Sequence, residues 1–145
     1  MTIRHYMLAA TVVACAALLQ ASSAIAHGAL AVGQPSSVAQ GGVAVGYTWN
    51  YDTQGEAEAD ALKQCLSYMD APDSTRALCK VVHTFDHECV AISLDPKVGT
   101  EGFGWAVAKT QSEASDQALQ ICRDSDGDAN ADGCTVPAIK CDQKP

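Results

Sequence analysis

The sequence predicts an α+β fold built from two pseudo-symmetric strand-strand-helix-strand repeats, which form a mostly antiparallel sheet stapled by disulfides. Three observations predict it. A helix-entry motif is written twice at one offset. Runs of β-branched and aromatic residues flank each copy. Six of the seven cysteines lie beyond an export leader that holds Cys15, and four of the six fall at matching places in the two copies.

The leader is Met1 to Ala26. Arg4 gives a basic start, Met7 to Leu19 is apolar apart from Thr11, and Ser22-Ser23-Ala24-Ile25-Ala26 is a small-x-small cleavage pattern. The apolar run is short of the roughly 20 residues that cross a bilayer, so it reads as a signal peptide cut after Ala26 rather than as an anchor. Cutting there leaves residues 27–145 as one domain, with repeat 1 at about 28–86 and repeat 2 at about 87–142. The remainder holds eight basic against 17 acidic residues, a net −9. Such a chain is repelled by nucleic acid and anionic lipid, and no basic stripe offsets this. The expected location is the periplasm or the medium. The expected partner is a protein or an envelope component.

His27 to Gln34 reads as a short strand, and Val43 to Trp49 as a longer one rich in β-branched and aromatic residues. A loop of about seven residues would join them as a hairpin. A helix follows from Gln54 to about Met69. Thr53 and Glu56 form an S/T-x-x-E capping box, in which the hydroxyl and the carboxylate each satisfy a free backbone N–H. Ala57, Ala61, Leu62 and Cys65 then make one apolar stripe of 3.6-residue period. Small alanines on that stripe allow close approach to a sheet. Asp70 to Ser74 reads as a loop, Cys79 to Phe85 as a strand, and Asp86-His87-Glu88 as a turn.

Cys89 to Leu94 opens the second copy and corresponds to Ala29–Val32. After the Val98–Gly102 loop, Phe103 to Ala108 repeats the long strand, with Gly102-Phe-Gly-Trp105 set against Gly46-Tyr-Thr-Trp49. The helix signal returns 57 residues on, from Thr110 and Glu113 through Ala114, Ala118 and Leu119 to Cys122. This helix should run from Gln111 to about Arg123. An acidic loop, Asp124 to Gly133, leads into the last strand, Cys134 to Cys141. Pro137 lacks a ladder donor and places that strand at an edge. One helix cannot cover both faces of a sheet, so the halves should pack together, with Trp49 and Trp105 near the pseudo-twofold axis.

Six cysteines allow 15 pairings. The duplication selects Cys65–Cys79 and Cys122–Cys134 as equivalent bridges. Cys89–Cys141 remains, expected to join the ends of the two halves. No C-x-x-C pair occurs, which argues against zinc.

Gly28-Ala-Leu-Ala-Val-Gly33, Gly46-Tyr-Thr-Trp49, Glu56-Ala57 with Ala61-Leu62-x-x-Cys65, Ala77-Leu-Cys79-Lys-Val-Val and Gly102-Phe-Gly-Trp105-Ala-Val together resemble the family catalogued as domain of unknown function 4189. The resemblance covers about Gly28 to Asp142. It implies a small exported bacterial protein with disulfides and a single domain. It implies no activity and no catalytic residues.

Candidate chemistry is sparse. His27, as the first residue after cleavage, could chelate copper through its amine and ring, with His83 or His87 as partner. Asp128, Asn130, Asp132 and Gly133 match the first half of a calcium loop. Position 12 falls on Ile139, where a bidentate Glu belongs, so a solvated turn accounts for them as well. With every cysteine of residues 27–145 bridged and no G-x-S-x-G elbow, no nucleophile stands out. No cofactor is implied. The reading is a non-enzymatic exported binding module, with Tyr47, Tyr51 and Phe103 as its interaction surface. The alternatives are metal handling, by copper at His27 or calcium at the 124–133 loop, and inhibition of a basic exported enzyme by the acidic loop.

Overall fold

A computed structural model describes residues 26–127 and 131–142. The expected leader, apart from Ala26, lies outside the described residues.

The first half runs β1 (His27–Gly33), α1 (Val38–Gly41), β2 (Ala44–Tyr51), α2 (Gln54–Leu66), α3 (Asp73–Arg76) and β3 (Lys80–Phe85). The second runs β4 (Cys89–Leu94), β5 (Phe103–Ala108), α4 (Gln111–Asp126), a 3-10 turn at Ala131–Gly133 and β6 (Thr135–Cys141). Each half is therefore strand, strand, helix, strand, as expected, with two one-turn helices added in the first. All strand pairs are antiparallel, but they form two sheets rather than one, ordered β2-β1-β3 and β5-β4-β6. β1 and β4 are each bonded on both sides within their own half, so the halves meet by their faces.

Alternation along the strands sorts residues by size. Ala29, Ala31 and Ala44 face α2, where they meet Ala57, Ala61 and Cys65. Cys89, Ala91, Ala106 and Ala108 meet Ala114 and Ala118 of α4 in the same way. The opposite faces carry Leu30, Val32, Val45 and Phe85 from one sheet and Val90, Ile92 and Phe103 from the other, in one shared core. Small residues thus seat the helices and large ones join the sheets. The result is four layers, helix–sheet–sheet–helix. The threonine half of each capping box forms: the Thr53 hydroxyl accepts from the Glu56 N–H at 3.3 Å, and that of Thr110 from the Glu113 N–H at 3.2 Å, while the Glu56 carboxylate accepts from the Thr53 hydroxyl at 2.8 Å.

The pseudo-symmetry corrects the expected match of the tryptophans. Gly46 and Gly104 are the true equivalents, because each lies directly under its helix. A Cβ built on Gly46 would sit 2.5 Å from the Cys65 nitrogen, and one on Gly104 2.6 Å from the Cys122 nitrogen. Trp105 therefore corresponds to Tyr47, and Trp49 to Val107. The expected match was wrong by two residues, which preserves the face and so leaves the hydrophobic pattern unchanged. The first half then carries one extra residue between β2 and its helix. It is absorbed as a bulge between His27↔Tyr51 and Ala29↔Thr48, where Asn50 adopts φ 61°. A second bulge is duplicated. Two residues, Val136 and Pro137, oppose Ser93, and Val82 is the extra residue at the equivalent place in β3. Pro137 sits at a bulge on an edge strand, where a missing donor costs least.

The three bridges are Cys65–Cys79, Cys122–Cys134 and Cys89–Cys141, the expected pairing. The last one differs in place. Cys89 and Cys141 are cross-strand partners within the second sheet, so it does not join the halves.

Connections differ more than elements. The expected seven-residue hairpin loop contains α1, because Glu101 from the other half caps it. The Glu101 carboxylate accepts from the Ser37 hydroxyl and the Val38 N–H, both at 2.6 Å. That hydroxyl first, and the backbone donors with it, hold Glu101 below the usual carboxylate range. α2 stops at Leu66, short of Met69, where the Ser67 hydroxyl donates to the Lys63 carbonyl at 2.8 Å. α4 runs past Arg123 through Asp126, so the start of the expected acidic loop is helical. Ser125 holds that last turn to β5, its hydroxyl accepting from the Phe103 N–H at 3.0 Å.

Candidate functional site

β2 is an edge strand, and its alternation sets Val45, Tyr47 and Trp49 on the face away from α2. The Tyr47 and Trp49 rings stack at 6.1 Å with 27° between planes. The Lys140 ammonium of β6 lies 5.0 Å over the Trp49 ring, a cation–π contact across the two sheets. Where α2 ends, Tyr68 and Met69 come alongside. With Tyr47, Trp49, Gln64 and Ser67 they line a concave surface of about 450 Å³. Met69 is 82% exposed there. Burial first, and then the Asp70 charge, push the Tyr68 phenol above its ordinary range.

Of the three residues expected to form an interaction surface, Tyr47 belongs to this one. The Asn50 bulge turns Tyr51 toward α2, from where it lines an adjoining concavity with Tyr47, Trp49 and Gln64. The Tyr51 hydroxyl donates to Asp60 at 2.6 Å, which lowers the Asp60 carboxyl and raises the phenol. Phe103 is a correction: it is 2% exposed, in the core between the sheets. As the equivalent of Val45 it points inward, and the mismatched tryptophans concealed this.

His27 pairs with Asp86, Nδ1 to Oδ1 at 2.6 Å. His83 lies 6.0 Å from the Trp105 ring, and His87 occupies the β3–β4 turn at φ 54°. Asp128 and Asn130 lie outside the described residues, and Asp132 is exposed on the 3-10 turn. Among the described residues, no three His, Cys, Asp or Glu side chains come together as a metal-binding group. No helix among them is long and apolar enough to cross a membrane.

Two carboxylate arrangements have no motif in the sequence. Asp142 is fully buried and accepts from the Asn50 N–H at 2.6 Å and the His87 N–H at 3.4 Å. It therefore ties down both non-glycine residues of positive φ among the described residues, one from each half. The only local hint was Asn50, a residue type that tolerates that conformation. Asp126, at the end of α4, accepts from the N–H groups of Glu101 and Gly102 through Oδ1, at 3.1 Å each. Its Oδ2 turns inward, and Asp95 lies beside it.

Burial first, and then the neighbouring Asp95, raise the Asp126 carboxyl above its ordinary range. A helix C-terminus also disfavours a negative charge. A carboxyl raised on folding stabilises fully below its unfolded-state pKa and loses that contribution as pH rises through the folded value. Asp126→Asn keeps the Oδ1 acceptor and can donate to Asp95. It should melt above the wild type near neutral pH, and the difference should close on acidification, as read by paired melting curves across pH.

A family model described as "Domain of unknown function (DUF4189)" matches residues 27–141. No curated protein and no solved structure matches the chain.

Proposed function

The chain belongs to the DUF4189 family, and we propose that it is an exported, non-enzymatic binding module of the cell envelope or the surrounding medium. One observation supports this above the rest. A four-layer, triply bridged scaffold presents a continuous aromatic and methionine surface along the free edge of β2, and the 82% exposed Met69 caps it. Folding does not require a large apolar side chain in that position, and clustered exposed apolar groups mark contact surfaces. Tyr, Trp and Met are the residue types enriched in the centres of protein interfaces, and Met adapts its shape to a partner. The scaffold is acidic overall, so a partner with a basic rim suits the surroundings of this patch.

A photo-cross-linking residue at Met69 tests the reading in the exported protein. One partner should be captured reproducibly from envelope fractions. Met69→Glu or Tyr47→Ala should weaken that partner by about tenfold or more, as expected when a central anchor is lost. A probe at the exposed Gln117 of α4 should capture nothing comparable. Equal capture from both positions would refute the proposal.

A further inference from the structure

The two sheets meet along two pseudo-equivalent seams, β2 against β6 and β3 against β5. The first is closed by the protein itself. Lys140 lies over Trp49, and the Asn50 N–H reaches Asp142. The second is not closed in the same way. The pair equivalent to Val90↔Lys140 is Gly28↔Phe85, and Phe85 turns inward, 3% exposed, against the space left by Gly28. No long side chain of β3 therefore folds over Val107, the equivalent of Trp49, and Trp105, the equivalent of Tyr47, stands two residues before it on β5. The His83 and Trp105 ring centroids lie 6.0 Å apart, and Trp105 also lines a groove of about 660 Å³.

Its chemistry is selective. Val32, Leu78, Val82 and Trp105 make apolar walls, with Gln34 and Lys80 at the rim. Val82 is the bulged residue of β3, and Leu78 is 47% exposed. The Lys80 ammonium is exposed and has no partner among the described residues. In a chain of 17 acidic residues, none of the residues lining this groove is a carboxylate. An anion would be repelled over most of this surface, yet here it meets a single unpaired cation beside an aromatic wall. The Glu101 carboxylate, which contacts the chain next to this groove, is taken up by the Ser37 hydroxyl and the Val38 N–H, and screening limits the reach of the others to about 10 Å at 0.1 M salt. The volume lies within the roughly 300–1,000 Å³ of small-ligand clefts.

We propose that this groove binds a small amphipathic carboxylic acid. The tail lies against Leu78, Val82 and Trp105, and the carboxylate rests on Lys80. The site lies on the opposite edge of the first sheet from the Met69 surface and does not depend on it.

The test is a titration of the exported protein with decanoate, decan-1-ol and decyltrimethylammonium, all below their micellar concentrations. A Trp49→Phe variant leaves Trp105 as the reporting fluorophore, and calorimetry on the unsubstituted protein checks that variant. Decanoate should saturate a single site about tenfold more tightly than the alcohol, the size of one well-placed charge pair near a surface. Lys80→Gln should abolish that advantage while leaving the alcohol unchanged, and Lys80→Glu should shift the preference to the ammonium. Met69→Glu should have no effect. The assignment is overturned if decanoate does not saturate, if acid and alcohol bind alike, if Lys80→Gln changes nothing, or if Met69→Glu removes decanoate binding.

Discussion

Gly104→Ala should destabilise the domain by about 3 kcal/mol or more, or prevent folding, and Gly46→Ala should do the same. The reason is where the contact falls. A methyl at either position meets the backbone of the helix above it, near the Cys122 and Cys65 nitrogens, not the end of a flexible side chain. Relief would need a whole helix to lift, and each helix is held on both sides of the collision. Its alanines at 57 and 61, or 114 and 118, are fully buried against the sheet, and its last cysteine is bridged. Lifting would expose those seats and strain the bridge together. Gly55→Ala is the internal control. Its Cβ would meet nothing within 4 Å in the first turn of α2, and the change should be neutral or stabilise by up to about 1 kcal/mol. Denaturant unfolding with the disulfides intact measures all three. Wild-type midpoints for both Gly46→Ala and Gly104→Ala would remove the helix-on-sheet register from which the whole pseudo-symmetry is drawn.

What was legible from the sequence was local, repeated, or both. Thr53 with Glu56 and Thr110 with Glu113 announce helix starts through hydrogen bonds that span three residues, and both form. The Ala-Ala-Cys stripes announce the buried side because helix period is a strong constraint. The bridges follow once the halves are recognised as copies. What failed was register and long-range capping. Sliding a strand by two residues leaves its alternation intact, so Trp105 can be set against Trp49 without any penalty in the pattern, and Phe103 then reads as exposed. The glycine that mattered, Gly104, is identified by a helix lying on it, which is a tertiary fact. Likewise α1 depends on a carboxylate 63 residues away in Glu101, and the bulge at Asn50 on a buried Asp142 that is 92 residues distant. Neither has a local signature. The aromatic surface was only partly legible for the same reason: Tyr47 was found, while Trp49, Tyr68 and Met69 join it only where α2 stops early at Ser67.

Replacing Cys89 and Cys141 together by alanine should cost more than removing either of the other bridges. In the chain-entropy model, its separation of 52 residues corresponds to about 4 kcal/mol, against about 3 kcal/mol for separations of 14 and 12. Position adds to length. Cys89 is 1% exposed beneath α4, so truncation also leaves a void in the helix–sheet layer. The bridge further pins the end of β6, an edge strand already weakened by the bulge at Pro137. The next residue is Asp142, whose N–H donates to the Glu88 carbonyl at 2.8 Å and whose carboxylate holds Asn50 and His87. Loosening β6 should therefore loosen the closed seam. The expected result has two parts: the lowest urea midpoint of the three double-alanine variants, and faster hydrogen exchange at the Asn50 amide than in either of the other two. Should Cys65→Ala/Cys79→Ala prove the costlier change, with Asn50 protection unaltered by loss of Cys89–Cys141, then β6 is held by its ladder and core contacts alone. Asp142 would in that case be a cap independent of the bridge beside it.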